Sequence, residues 1–447
     1  MSNKSSALPG DIREFELFQA KDGGKSIDAS GAVVDIKYYE DILSNSVSLS
    51  AIIAESGESN SDVGNVGILD GLPIRGGEPS TIVIVDHDGN KLSFKDDSKL
   101  YVNRVRNVIA GTQKDVYAID FTSREMLANE QCRVVKRYDG KISENIKKIL
   151  TENTSADVGI KTKKEVIVDE TAINYNFIGN DRKPFYVCTW LASKSIPAEA
   201  GKIGGSAGYV FYETYDGYNF RSLDALAEQE PKGNYLFSNT DNIPREYTGK
   251  ILNYDIDRDI DLQNNLTIGA YANRTLFFDF YAYNYKVRNY SVDQSGGADN
   301  NEGAGSKGKL VNLGEDEIDS VADEFRLPVS RLMNRVLDVG TLPAGKDIDE
   351  QLKTWKESPF DPTYDSTKTM VQSVMRYNQM FSVKINIMIA GDFKLRAGDL
   401  IRCEFPRLST EPNTRPNKVS GGLYMIASLC HNITPRETYT SLTLVRD

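Results

Sequence analysis

The chain has 447 residues, 40% of them hydrophobic and 26% charged, an ordinary soluble balance with length for roughly two to four domains and a sizeable core. A net charge of -11 excludes a phosphate-neutralising surface built from surplus Lys and Arg. The four cysteines, Cys132, Cys188, Cys403 and Cys430, form no CxxC pair, which excludes a zinc knuckle or compact disulfide scaffold and points to reduced thiols in a cytoplasmically made protein.

The opening "MSNKSSALPGDIREFELF" holds no apolar stretch of signal-peptide length. No run nears the roughly 18 apolar residues of a membrane span, so neither export by the usual route nor a membrane span is expected. Tyrosine is over-represented, with 23 Tyr against 2 Trp and 2 His, which favours strands and interfaces.

Residues 14–123 read as β. "GAVVDIKYYEDILSNSVSLSAIIAE" mixes alternating and continuous apolar runs. "STIVIVDHDGNKLSF" is a hairpin turning at Asp88-Gly89-Asn90, and "KLYVNRVRNVIAGTQKDVYAIDFTS" is a second strand-turn-strand unit. Between them "SGESNSDVGNVGILDGLPIRGG" is a polar, Gly-rich loop. In "YDGKISENIKKILTEN" the spacing of Ile146, Ile149 and Leu150 predicts a helix capped by Ser143. "KPFYVCTWLASKSI" predicts another, with Pro184 in its first turn. "GYVFYETYDGYNFRSLDAL" predicts a hairpin at Asp216-Gly217 and a short helix from Ser222. These pieces make a small α/β domain.

After Pro244 strands return in "YTGKILNYDIDRDIDLQNN" and "RTLFFDFYAYNYKVRNY", the latter with Tyr281, Tyr283 and Tyr285 on one face. "SVDQSGGADNNEGAGSKGK" reads as a flexible linker over 291–310. Two helical pieces follow, one around "SVADEFRLPVSRLMNRVLDVG", broken at Pro328, and one in "DSTKTMVQSVMRYNQMF". The chain closes on β. "LYVNRVRN", a turn and "VYAIDFTS" resemble "LYMIASLCHN", a turn and "TYTSLTLVRD", each unit following a strand introduced by a Gly-acid turn. Any two strand-turn-strand units share that much, so the pattern alone leaves a duplication open.

No motif carries catalysis. "GGSAG" at 204–208 spells a nucleophile elbow, but it runs into a strand rather than a helix, so Ser206 reads as a loop residue. "GAGSKGKL" at 303–310 lacks the hydroxyl residue and preceding strand of a phosphate loop. "DHDG" and "DIDRDID" lack the closing glutamate and flanking helices of a calcium loop, the acids of the second reading as the wet face of a strand. Cys430 and His431 are neighbours that point to opposite strand faces, unsuited to one zinc ion. No catalytic, cofactor-binding or metal-binding residue is assigned, and no cofactor is expected.

"RYNQMFSVKINIMIAGDFKLRAGDLIRCEFPRL" and "SGGLYMIASLCHNITPRETYTSLTLVRD" resemble the baseplate central hub proteins of contractile-tailed bacteriophages, relatives of the hub part of type VI secretion spikes. "GLPIRGGEPSTIVI", "INYNFIGNDRKPFYVCTWLASKS" with "GYVFYETYDGYNFRSLDAL", and "LPVSRLMNRVLDVG" are similar to the same family in the same order. The resemblance implies a mainly β chain with α+β inserts: two similar β-barrel tube domains plus smaller α/β domains. The boundaries expected are 1–125 for the first tube domain, 126–244 for the small α/β domain, 245–290 with 378–447 for the second tube domain, and 291–377 for a linker and helical insertion. It further implies a non-enzymatic homotrimer with pseudo-sixfold symmetry in the virion baseplate, assembled in the host cytoplasm. That trimer would join a hexameric tail tube or tube initiator to a trimeric spike, which in the family often carries a lysozyme, and would meet baseplate wedge proteins. DNA would pass through its channel without specific binding. The alternatives are a virion-associated cell-wall hydrolase and an adhesin or carbohydrate-binding tail protein.

Overall fold

The computed structural model describes residues 7–446 apart from 21–23, 57–66, 112–113, 173, 199–205, 240–243, 258–261, 281–282, 292–312, 314–320, 337–365, 382 and 407–419. Alternation in the N-terminal quarter gives eight strands: β1 (Asp11–Phe18), β2 (Ser26–Asp28), β3 (Val33–Asp41), β4 (Ser48–Glu55), β5 (Pro79–Val85), β6 (Lys91–Phe94), β7 (Leu100–Ala110) and β8 (Asp115–Ser123). One turn of helix, α1 (Ile68–Gly71), interrupts the loop after β4. The β5–β6 hairpin turns where expected, with Gly89 at φ 85°, a conformation glycine adopts without steric cost.

Next come α2 (Arg124–Gln131), β9 (Arg137–Tyr138), α3 (Ile142–Thr151), β10 (Glu165–Val168), β11 (Phe177–Ile178), α4 (Pro184–Ala192), β12 (Tyr209–Thr214), β13 (Gly217–Ser222) and α5 (Leu223–Ala227). Helix α3 buries Ile146, Ile149 and Leu150, but its N-cap is Lys141, not Ser143. Ser143 lies inside the first turn because its hydroxyl is engaged by Thr171, 3.2 Å away, whose own hydroxyl accepts from the Ser143 amide. Pro184 opens α4, and Ser222 caps α5 by accepting from the Ala225 amide at 3.0 Å.

The last part holds β14 (Asn234–Phe237), β15 (Gly249–Asp257), α6 (Leu262–Ile268), β16 (Ala272–Asp279), β17 (Asn284–Ser291), α7 (Asp323–Arg326), β18 (Arg331–Val336), α8 (Ser366–Met380), β19 (Val383–Ala390), β20 (Leu400–Glu404), β21 (Gly422–Ile433) and β22 (Thr438–Arg446). Two expectations are corrected here. The aromatic run is not one strand: it folds back as the antiparallel β16–β17 hairpin, so Tyr283 sits in the turn at φ 49° and Tyr285 on the returning strand. Tyr281 lies outside the described residues. Folding back gives both segments backbone partners that a single long strand would have lacked. The segment after Pro328 is not helical either. Pro328 has no N–H to give to a continuing helix, and "RLMNRV" alternates in exposure as β18, pairing parallel with β16. The 291–310 linker lies, beyond Ser291, outside the described residues.

The main sheet has 14 strands in the order β2-β1-β5-β7-β8-β4-β3-β21-β20-β14-β15-β19-β22, with β6 on β5. Because β22 also pairs with β21, strands β21-β20-β14-β15-β19-β22 close a six-stranded barrel. The barrel takes in β14, from the segment expected in the α/β domain, whereas β16 and β17 form a separate sheet with β18. Inward positions of the first unit (Phe15, Leu49, Ile53, Ile82, Ile119, Phe121) and of the barrel (Ile385, Ile387, Ile389, Leu442, Leu444) are fully buried. Each such side chain stabilises by about 1.5–3 kcal/mol.

Candidate functional site

The two β units repeat each other in register. Strands β3-β4-β8-β7-β5 and β15-β19-β22-β21-β20 have the same order, and every neighbouring pair is antiparallel. Each first strand carries a bulge at its start, where Val33↔Ile53 steps to Asp35↔Ile52 and Ile251↔Ile389 steps to Asn253↔Met388. The β7 bulge between Val102 and Arg104 recurs in β21 between Ile426 and Ser428. Up to Arg106 the pairings chain together without slippage: Ile52↔Ala118 corresponds to Met388↔Ser441, and Val102↔Phe121 to Ile426↔Leu444; beyond it β7 has a second bulge, between Arg106 and Ile109, that β21 lacks.

The units join along β3–β21, from Ser428↔Asp41 to Ile433↔Ile36. Across that seam runs one antiparallel sheet, β7-β8-β4-β3-β21-β22-β19-β15. One face covers the cores; the other carries Lys37, Tyr39, Asp41, Ser48, Ser50, Asp120, Ser428, Cys430, Ser441, Thr443, Asn386 and Asp255. A depression of about 810 Å³ lies over the seam, lined among others by Tyr39, Asp41, Ser48, Asp255, Asn386 and Cys430. Its lining is mostly small and neutral polar. Such cations as the face carries are partly offset: Arg106 makes a two-pronged contact with Asp120 (2.7 and 3.1 Å), and Lys37 lies 3.5 Å from Asp35.

Behind the seam, buried acids tie the units together. Glu40 of β3 is 1% exposed. It accepts from the Tyr38 hydroxyl at 2.9 Å, the Tyr215 amide at 2.7 Å and the Ala397 amide at 2.9 Å, so one carboxylate touches the first unit, the β12–β13 turn and the loop before β20. Burial pushes this carboxyl up to about 7, against the pull of Arg396 and of the three donors. Arg396 in turn pairs with Asp216 at 2.8 Å and lies over the Tyr215 ring. A second tie is Glu213 of β12, which accepts from the Val47 amide at 3.0 Å and from Lys164 at 2.6 Å, with Glu125 3.5 Å from the same ammonium. Burial works against the Lys164 charge, but the two carboxylates outweigh it and hold its pKa above the ordinary value; burial pushes Glu213 up.

The sequence motifs do not converge. Ser206 lies outside any helix or strand but is buried, and its hydroxyl and amide both donate to Asp224, at 2.6–2.8 Å and 2.6 Å. Residues 204 and 205 lie outside the described residues, as does the 303–310 segment. Among the described groups around Ser206 the charged partner of Asp224 is Arg376, at 3.6 Å, not a histidine. His87 is exposed in its hairpin turn, whereas His431 is buried against Tyr38 and Phe393 with Nδ1 2.9 Å from the Thr440 hydroxyl. The cysteines are unpaired, and among the described residues no three His, Cys, Asp or Glu cluster as metal ligands. No helix among the described residues is long and apolar enough to cross a membrane. Sequence reading missed Glu40 and Glu213. In "IKYYE", Glu40 follows Ile36 and Tyr38 on the inward alternation, the one available signal of a buried acid.

A closed six-stranded barrel, a register-matched second β unit and a small α/β unit between them define a fold found in bacteriophage tail proteins. The tail protein from Neisseria meningitidis MC58 has a TM-score of 0.53 at 11% identity, over 98% of this chain and 97% of that one. The 43 kDa tail protein of prophage MuSo2 from Shewanella oneidensis has 0.50 at 11% identity, over 97% and 98%. No family model and no curated sequence matches the chain.

Proposed function

We propose that the chain is a structural hub of a phage tail baseplate, a homotrimer whose six β units present pseudo-sixfold symmetry to a hexameric tail tube and threefold symmetry to a spike. The two tube modules are β1–β8 and the barrel of β14, β15 and β19–β22. The observation that carries this reading is the register-matched repeat within one continuous sheet: two like units per chain are what three chains need to face six tube subunits. Likeness in fold to phage tail proteins over nearly the whole chain supports it. Small uncharged groups and the acids Asp41, Asp120 and Asp255 on that face support a channel wall, because acids repel duplex DNA and Arg106 is held by Asp120. The role is structural rather than enzymatic, with DNA passing unbound.

Native mass measurement with negative-stain imaging tests this. Expected is a threefold particle with an open axis that retains no duplex DNA at low salt, where electrostatic affinity would be strongest. A monomer at about tens of micromolar that stays monomeric with its spike partner, a closed axis, or a salt-sensitive gel shift would refute the hub-and-channel reading.

A further inference from the structure

The three-stranded sheet of β16, β17 and β18 is turned inside out. Its pairings set Val336, Phe278 and Tyr285 in one row across a single face, with Asn334, Leu276 and Val287 in the next. Phe278 is 38% exposed, Val287 45%, Val336 57% and Tyr285 62%, and the exposed Phe280 and Tyr283 carry the apolar surface on around the β16–β17 hairpin. The opposite face packs on α8 through Phe277 and Tyr290, against Val371 and Met375. That covered face is the more polar one. Asn273 and Thr275 are buried there with no side-chain hydrogen-bond partner among the described residues, and Gln372 of α8 reaches the Tyr290 hydroxyl at 3.4 Å. A sheet with one wet face turns its polar residues to water and its apolar ones to the core. Here the order is reversed, and a contiguous exposed apolar patch marks a surface that a partner covers.

We propose that this face is a docking surface for one amphipathic helix of a different protein, apolar along one side and acidic along its flanks. Width selects a helix: the outer two of three strands lie about 10 Å apart, the diameter of one helix, and α8 already covers the other face in that way. Charge selects the flanks. The three strands carry Arg274, Lys286, Arg288, Arg331 and Arg335 against Asp279, in a chain of net charge -11. Partial burial and the neighbouring Arg331 hold the Arg335 guanidinium below its ordinary value, and an incoming carboxylate would relieve that crowding of like charge. Charge also argues against a second copy, because two such faces meeting would set these cations against one another. The surface is complete within a single chain, so this binding does not depend on the trimer.

Peptide binding to the full chain tests this. The probe is a labelled synthetic helix of about 18 residues, roughly the length of β16, with leucine along one face and glutamate on both flanks. Its control keeps the leucines and carries lysine on the flanks. By fluorescence anisotropy the glutamate peptide is expected to bind, gaining helical circular dichroism as it does, and the lysine peptide to bind at least about tenfold more weakly. Tyr285→Ser/Val336→Ser, both on the exposed face, should weaken the glutamate peptide by about tenfold or more. Arg274→Glu/Arg335→Glu should invert the preference towards the lysine peptide, which a loss of fold could not do. No binding at about 1 mM, equal binding of the two peptides, or indifference to Tyr285→Ser/Val336→Ser would overturn the proposal. So would binding without a gain of helix, which would mean strand addition at the free edge of β18. An oligomer of the free chain that Tyr285→Ser/Val336→Ser takes apart would give the face to a second copy and overturn it as well.

Discussion

Replacing Glu40 by Gln separates ionisation from everything else this residue does. The carboxyl has its pKa raised from 4.5 to about 7 by burial. The folded state therefore binds this proton more tightly than the unfolded chain, so the associated stability is fully present below 4.5 and lost as pH rises through 7. At about 1.4 kcal/mol per unit, the loss amounts to about 3 kcal/mol. Gln cannot ionise and lacks this slope. Its amide nitrogen will meet the Ala397 N–H or the Tyr215 N–H, donor against donor, but that penalty does not change with pH. The expected result, from urea denaturation of both proteins at about pH 4.5 and about pH 8.5, is that Glu40→Gln gains about 3 kcal/mol relative to the parent on going to high pH. A pH-independent difference would refute the argument. A difference of opposite sign would mean that Arg396 and the three donors outweigh burial.

Lys164→Met should destabilise by about 3–5 kcal/mol, because it strands Glu213 as a buried, uncompensated acid, whereas Glu125 keeps Arg124 at 3.5 Å; adding Glu213→Gln should recover part of that loss in the same denaturation assay. Gly217→Ala should unfold the α/β unit selectively. Its Cβ would come 2.3 Å from the Glu165 carbonyl oxygen at φ +142°, breaking the parallel β10–β13 pairing, and Trp190, packed in that unit's core, should report the change by fluorescence.

Much of the fold was legible where local chemistry and tertiary structure agree. Asp216-Gly217 between alternating strands, Pro184 at a helix start and Ser222 at another are decided within a few residues. Errors arose where a distant partner decided the matter. Thr171, nearly thirty residues on, draws Ser143 away from capping, and β18 is a strand because β16 offers it an edge. The repeat was legible in kind but not in register. Aligning the two Leu-Tyr pairs sets Tyr101 beside Tyr424, whereas the shared bulges set Tyr101 beside Met425. Strand alternation survives while side-chain identity does not: Phe121 answers to Leu444, and Ser50 to Asn386. The concave face was invisible because small polar residues on the wet side of a strand look alike in any β protein.

The seam between β3 and β21 also has a consequence in time. Residues 11–123 hold all eight strands of the first unit with mostly local pairings, able to form early, before Phe393 and Ile433 arrive to finish their core. The strand that covers the outer edge of β3 is made almost four hundred residues later. At about 5–20 residues per second, β3 waits roughly 20–80 s for it. Throughout that interval the nascent unit presents two open edges, β3 and β7, of the kind that accept a strand from any nearby copy. Neighbouring ribosomes on one message hold such copies close together, so premature pairing between half-made chains competes with the internal seam, and the order of synthesis becomes part of what selects a closed ring over a tangle.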